Sequence, residues 1–170
     1  MQSYLQTTVI ENEEIISSYI DHLKNKQFPC VAAREAAASQ QAKCFVADNL
    51  ACPKDDKTIL NFLYSFVDEL RNTGDFYSSA AIIFKSTDIY TEDTVDVLLW
   101  RRLQSIADLD AEKYSYDNRV DADPSSSKFS FSRKKEAFYI IVLHAGSSRR
   151  PRQFKYPVFV FNRHARLEEL

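Results

Sequence analysis

Glycine is almost missing from this chain, which has only 2 glycines in 170 residues. A chain of this size usually contains about 7% glycine. A loop that cradles phosphate groups with its backbone needs several glycines close together, and this sequence has no such cluster. The scarcity therefore excludes the P-loop nucleotide site and the dinucleotide-binding fingerprint of Rossmann folds.

Long apolar runs and an even set of cysteines are also lacking. No run approaches the roughly 18 apolar residues that a membrane-spanning helix needs. The 3 cysteines are an odd number, and Glu11, Glu13 and Glu14 stand where a secretion signal would carry its apolar segment. We therefore expect a cytoplasmic protein with reduced thiols and no membrane partner.

The chain has no excess of positive charge, because 22 Lys and Arg residues face 24 Asp and Glu residues, for a formal net charge of -2. Such a balance gives no general attraction for nucleic acid. The segment SRRPRQFKY at 148–156 does alternate basic and aromatic residues, as some nucleic-acid-binding segments do. The acidic remainder of the chain argues against nucleic acid as a partner.

Apolar residues, at 45% of the chain, are sufficient for one sizeable core. The length is about that of one domain, so we expect a single domain over 1–170. Helical periodicity or alanine content predicts helices over 12–24, 31–42, 57–70 and 91–106.

Strands are predicted from short apolar or alternating segments near 79–85, 128–132, 137–144 and 157–162. Because helices come first and strands follow in series, the sequence is typical of an α+β protein. We predict a central, largely antiparallel sheet covered by amphipathic helices, with the 59–70 helix on one face and 157–162 as a central strand. If the last strands form a meander, Ser132 lies opposite Ala137.

The same meander places the histidines. His144 would end one strand, and the loop that carries Asp121 and Asp123 would come near that end of the sheet. His164 would lie roughly 20 Å away, at about 3.3 Å per strand residue. We therefore predict that His144 and His164 do not bind the same metal.

Five stretches of the chain match known motifs in order. They are FPCVAAREA at 28–36, LLWRRLQSIADLD at 98–110, DADPSSSKFSFS at 121–132, FYIIVLHAGSSRRPRQF at 138–154 and PVFVFNRHARLEEL at 157–170. In these stretches the chain resembles the YqcI/YcgG family, whose characterised members resemble heme-dependent N-hydroxylases of arginine-like guanidino substrates. Together the stretches span nearly the whole chain.

The chain also departs from the family pattern. Family members usually have Gly after the FSFS segment, where this chain has Arg133, Lys134 and Lys135. Pro commonly follows the first histidine and precedes the second, where this chain has Ala145 and Arg163. The pattern continues beyond the second histidine, so we expect a domain without the family's C-terminal extension.

The resemblance implies a heme enzyme that takes a small guanidino or amino substrate and an electron donor. Heme chemistry requires the protein to supply an axial ligand, partners for the propionates and an acidic site for a guanidinium. The resemblance implies His144 as that ligand, with His164 as the alternative, and Arg149 and Arg150 as propionate partners. A histidine at a strand end is also typical of a polar residue at a sheet edge.

Three further residues have two interpretations each. Asp121 and Asp123 are candidate contacts for a substrate guanidinium, but DADPSSS is equally typical of an Asx turn. The Cys30 thiolate belongs to the other common class of heme ligand, although a cysteine after Phe-Pro is more typical of core packing.

Two alternatives to an enzyme stay open. One is a non-catalytic heme- or small-ligand-binding protein on the same scaffold, and the other is a partner-binding module without a cofactor. We expect His22 on a solvated helix face and Trp100 in the core. No feature of the sequence predicts an oligomeric state.

Overall fold

The computed structural model describes the backbone of residues 2–74, 78–86, 88 and 90–164, with side chains from residue 5 onward. The helices are α1 (Gln2–Leu23), α2 (Val31–Ala38), α3 (Asp56–Thr73) and α4 (Glu92–Ala111). The strands are β1 (Ala42–Ala47), β2 (Ser79–Phe84), β3 (Phe131–Arg133), β4 (Glu136–Leu143) and β5 (Val158–Arg163). Short 3₁₀ turns lie at Pro53–Asp55 and Arg150–Arg152.

Local sequence signals set the helix ends. The Thr91 side chain accepts a hydrogen bond from the Thr94 N–H and caps α4. Gly74 ends α3 in the left-handed region, with φ of 63°, where glycine has no side chain to clash. Both ends confirm the sequence prediction, whereas α1 begins ten residues earlier than the periodicity indicated.

In the described residues the strands form one five-stranded sheet in the order β1-β2-β5-β4-β3. β1 and β2 are parallel, and all other neighbours are antiparallel. β5 lies in the middle, and Ser132 pairs with Ala137 as predicted. The α+β architecture with a largely antiparallel sheet is confirmed.

Two strand assignments differ from the prediction. β1 was missed, because its six residues are mostly half-buried and carry no clear alternation after an alanine-rich segment. It joins β2 through α3, which is the helical crossover that parallel neighbours need. β3 is shorter than predicted, since Phe129 instead forms an isolated bridge with Asp121.

Helices cover both faces of the sheet, so the sheet separates two cores. Residues of α3 and α4 pack on one face against Phe159 and Phe161 of β5. Residues of α1 and α2 pack on the other face against Val158 and Val160. This alternation is what a fully buried central strand requires, and it confirms that the 59–70 helix packs on the sheet.

No helix among the described residues is both long enough and apolar enough to cross a bilayer.

Candidate functional site

His144 follows the last residue of β4 and lies on the face of the sheet that α3 and α4 cover. Alternate strand residues share a face, and Phe138, Ile140 and Val142 of β4 all belong to the core on that side. The alternation continues by one step to His144. Its position is therefore set by the register of β4.

The loop after His144 folds back on it. The His144 N–H donates to the Arg152 carbonyl at 3.2 Å, and its own carbonyl accepts from Ser147 and Phe154, each at 3.3 Å. The connection from β4 to β5 is thus a wide hairpin loop, as the meander required. These three backbone hydrogen bonds close the segment between His144 and Phe154 at its base.

His144 is buried, and one of its ring nitrogens is unpaired. The residue is only 5% exposed, and its Nδ1 has no hydrogen-bond partner among the described residues. Burial lowers the pKa of His144, although Glu92 and Asp96 act in the opposite direction. The ring is therefore neutral at neutral pH, which is the form of histidine that binds a metal.

Gly146 closes the space beside this nitrogen. A Cβ placed on Gly146 would lie 3.6 Å from His144 Nδ1 and 2.8 Å from the Tyr90 carbonyl oxygen. Any larger residue here would meet backbone, so the close approach needs glycine.

Arg149 lies on the same side as His144. Glu92, the first residue of α4, accepts hydrogen bonds from the Ser148 N–H at 3.2 Å and the Ser148 hydroxyl at 3.1 Å. These bonds lower the pKa of Glu92, and the neighbouring His144 and Arg149 act in the same direction. The start of α4 therefore brings His144, Arg149 and a carboxylate together.

Arg150 is directed elsewhere. It lines a cavity of about 400 Å³ together with His22 and Phe28, and Phe28 belongs to the core on the α1/α2 side. Arg149 and Arg150, although consecutive in one loop, thus lie on opposite sides of the sheet. The structure does not bring Arg149 and Arg150 together at His144.

Cys30 also lies on the α1/α2 side. Its sulfur accepts a hydrogen bond from the Ala33 N–H at 3.4 Å and lies 3.4 Å from the Tyr139 hydroxyl. It therefore caps α2 and packs in the core, which is the second of its two interpretations. The sheet stands between Cys30 and His144, so one group cannot reach both.

The carboxylates of Asp121 and Asp123 are engaged in their own loop. The Ser126 hydroxyl donates to Asp121, and the Ser125 N–H and hydroxyl donate to Asp123 at 2.9 and 2.8 Å. The Ser125 bonds lower the pKa of Asp123, so it is ionised. The loop has the Asx-turn geometry that its sequence allowed.

The same loop forms one lip of an aromatic cleft of about 290 Å³ between α4 and β3, which also has Ala122 and Pro124 in its wall. The cleft's rings are those of Trp100, Phe129 and Phe131, with centroids 5.7 Å apart for Trp100 and Phe131 and 4.9 Å apart for the two phenylalanines. The charged residues of the wall are Asp108 and Arg133, and the Arg133 guanidinium donates hydrogen bonds to the carbonyls of Ser132 and Leu103.

Trp100 was expected in the core, and this was wrong, because the side chain is 44% exposed. The neighbouring Leu99 faces the core, and one further residue turns the helix by about 100°. Trp100 consequently points toward the short β3 edge. Asp96, whose charge reaches His144, lies one turn before Trp100 on the same stripe of α4, so the aromatic cleft and His144 share one side of the molecule.

His22 was expected on a solvated face, and this too was wrong. Its ring packs on Phe28 and Phe154, with centroids 5.7 and 5.0 Å away, and its Nε2 is buried without a hydrogen-bond partner among the described residues. One feature of the sequence indicated that His22 is partly buried, since it lies beside the buried stripe of Tyr19 and Leu23 on α1. The partner Phe154 is too distant in sequence to be foreseen.

His164 lies at the far end of the sheet from His144. Phe138 pairs with Arg163, whereas Leu143 pairs with Val158, so the two histidines sit at opposite ends of neighbouring strands. Within the described part of the chain, no three His, Cys, Asp or Glu residues are placed to hold a metal ion together. A helix that opens at His164 would lie outside the described residues.

The sequence pattern that defines the YqcI/YcgG family matches residues 19–170. The chain belongs to the YqcI/YcgG family. It is 26% identical over 144 residues to the Uncharacterized protein YqcI of Bacillus subtilis (strain 168), an alignment that covers 81% of this chain and 55% of that relative. This YqcI/YcgG chain thus spans about half the length of the relative. No solved structure matches it significantly.

Proposed function

We propose that this YqcI/YcgG protein binds heme with His144 as the axial ligand and acts as an N-oxygenase on a guanidino or amino compound. The observation that carries the proposal is the neutral, buried imidazole with an unpartnered Nδ1. Leaving a buried polar atom unpaired costs about 1–3 kcal/mol. A residue that retains such an atom is well suited to bind a ligand there.

The donor set near His144 fits this cofactor. One neutral imidazole is the axial donor that many heme proteins use, and half-buried Ile140 and Val142 lie on the same face. Because His144 is only 5% exposed, ligation requires the Gly146 segment to move aside. Gly146 has no side chain to hinder that movement.

Arg149 is then the propionate partner, and Arg150 is not. Arg149 is exposed and close enough to the start of α4 to act on Glu92. Its guanidinium can pair a carboxylate through two parallel hydrogen bonds. Arg150 and Cys30 belong to the other side of the sheet and contribute nothing to this site.

The aromatic cleft is suited to a planar cation. The faces of Trp100, Phe129 and Phe131 attract a guanidinium by cation–π interaction. Asp108 stands in the wall, held by a 2.7 Å hydrogen bond from the Gln104 amide, and the ionised Asp123 lies in the adjoining loop. These residues bind and orient the substrate, while bound heme supplies the oxygen activation.

Oxygen consumption by the heme-loaded protein, with arginine and a reductant, tests the activity. Trp100→Ala should raise KM for arginine by about 3- to 30-fold, the equivalent of one cation–π contact. Val97→Ala is the matched control, because Val97 is exposed on the same helix outside the cleft. Arginine-independent oxygen uptake, or equal effects of the two substitutions, would contradict the proposed substrate site.

A further inference from the structure

The cavity on the α1/α2 side is a second candidate site. It is an open cleft between the end of α1 and the 3₁₀ turn at Arg150–Arg152, with a volume of about 400 Å³. We call it the His22–Arg150 cleft. Its polar walls are His22, Asn25, Gln27, Arg150 and Gln153, which surround Phe28. A cleft of this size lies in the range that small-molecule sites occupy.

The cleft has one cation and no anion in its wall. Arg150 forms no ion pair with any residue in the described part of the chain, and no Asp or Glu lines the cavity. Asn25 uses its side-chain oxygen to accept from the Gln27 N–H at 3.0 Å, so the donors that it can offer to a ligand are its two amide hydrogens. An unopposed guanidinium beside amide donors is typical of a site for carboxylate or phosphate.

His22 adds an acceptor to the same wall. Its ring is held between Phe28 and Phe154, and its buried Nε2 has no partner among the described residues. Burial lowers the pKa of His22, while the Pro151 carbonyl acts in the opposite direction. The neutral ring can accept a hydrogen bond from a hydroxyl group on a ligand.

We propose that the His22–Arg150 cleft binds a small organic anion that carries a hydroxyl group, with the anionic group on Arg150 and the hydroxyl on His22. This site lies on the opposite side of the sheet from His144. It does not rest on heme binding, and Arg150→Gln should leave any heme absorption band unchanged. Failure of one site is therefore distinguishable from failure of the other.

Calorimetric titration of the full chain with malate, succinate and glycerol 3-phosphate tests the proposal. Malate and succinate differ by one hydroxyl group, and glycerol 3-phosphate offers phosphate in place of carboxylate. We expect saturable binding of malate or glycerol 3-phosphate at one site, and the stronger of the two identifies the anionic group. Succinate should bind more weakly than malate, because it cannot donate to His22.

Two substitutions and one control sharpen the test. Arg150→Gln should weaken binding by about 10-fold or more, as loss of a charge-assisted hydrogen bond does. Arg149→Gln, the same change at the preceding loop residue, should leave binding unchanged. His22→Phe keeps the aromatic packing and should abolish the preference for malate over succinate.

Three results would overturn the proposal. They are the absence of saturable heat with all three anions, equal weakening by Arg149→Gln and Arg150→Gln, and a malate preference that survives His22→Phe. The second of these would indicate diffuse attraction to a basic loop. The third would place the hydroxyl group away from His22.

Discussion

At the scale of single residues, Asp56 and Arg102 form a buried ion pair. The Arg102 guanidinium donates to one carboxylate oxygen of Asp56 at 2.8 Å, and the Ser105 hydroxyl donates to the other at 2.5 Å. Asp56 is also the first residue of α3, where the helix dipole favours a negative charge. The pair ties the start of α3 to the middle of α4.

Arg102→Met should lower the free energy of unfolding by about 3–5 kcal/mol, because it leaves a buried carboxylate without its counter-charge. The double variant Asp56→Leu with Arg102→Met should lose much less than the sum of the single substitutions, since no charge stays buried. Urea denaturation of the three variants measures this coupling. Strictly additive losses would show that the two side chains do not depend on each other.

The buried histidines make stability depend on pH. Burial lowers the pKa of His144 and of His22 below the ordinary value of 6.5, so the unfolded chain takes up these protons more readily than the folded chain. Their contribution to stability is present above about pH 6.5 and is lost as the pH falls further. Urea denaturation between pH 8 and pH 5 should show this loss.

His144→Gln should make the loss of stability below pH 6.5 smaller, because glutamine does not titrate. The comparison is the slope of the free energy of unfolding against pH for the two proteins. Parallel slopes would mean that the imidazole of His144 is protonated as easily in the folded chain as in the unfolded one.

At the element scale, the β3–β4 hairpin carries a backbone conformation that its residues do not favour. Lys134 and Lys135 have φ of 50° and 59°, both in the left-handed region, and two-residue hairpin turns of this kind favour Asn-Gly. Lys134 is held by its ion pair with Asp68 at 2.6 Å. Lys135 is exposed, and the structure records no comparable bond for it among the described residues.

Lys135→Gly should therefore raise the free energy of unfolding by about 1 kcal/mol, the cost of one left-handed residue. Lys135→Ala is the matched control, because it removes the same side chain but keeps a Cβ, and it should change stability little. Thermal denaturation of both variants measures the difference. If alanine stabilises as much as glycine, the lysine side chain and not the backbone is the source of the cost.

The elements differ in how far the sequence predicts them. α3 was predictable because its apolar residues repeat at the helical period and Gly74 marks its end. β4 and β5 were predictable because each is a continuous apolar run, and their antiparallel register then placed His144 and His164 at opposite ends. β1 was not, because a short, half-buried edge strand has no distinctive pattern.

The site was only partly predictable for a different reason. Strand register carries His144 to its place, but the direction of each loop residue depends on tertiary contacts. The hydrogen bond from Ser148 to Glu92 places the adjacent Arg149 near the start of α4. Arg150 instead lines the cavity that contains His22. No local sequence signal distinguishes two consecutive arginines in this way.

At the scale of the whole molecule, the sheet divides the protein into two sides with different chemistry. The α3/α4 side holds His144, Arg149 and the aromatic cleft. The α1/α2 side holds Cys30 in a structural role and the His22–Arg150 cleft. The sheet and its covering helices separate the two proposed sites. A substitution in one site therefore makes no direct contact with the other.

The absorption spectrum of the protein purified after expression with a heme precursor tests whether His144 binds heme iron. We predict a Soret band that His144→Ala abolishes or strongly shifts and that added imidazole restores in this variant, since imidazole coordination sets the electronic state of the iron. Arg149→Ala should weaken heme retention without changing the type of spectrum, and His164→Ala should leave the band nearly unchanged. A colourless wild-type protein, or a band that His164→Ala removes and His144→Ala leaves intact, would show that His144 is not the heme ligand.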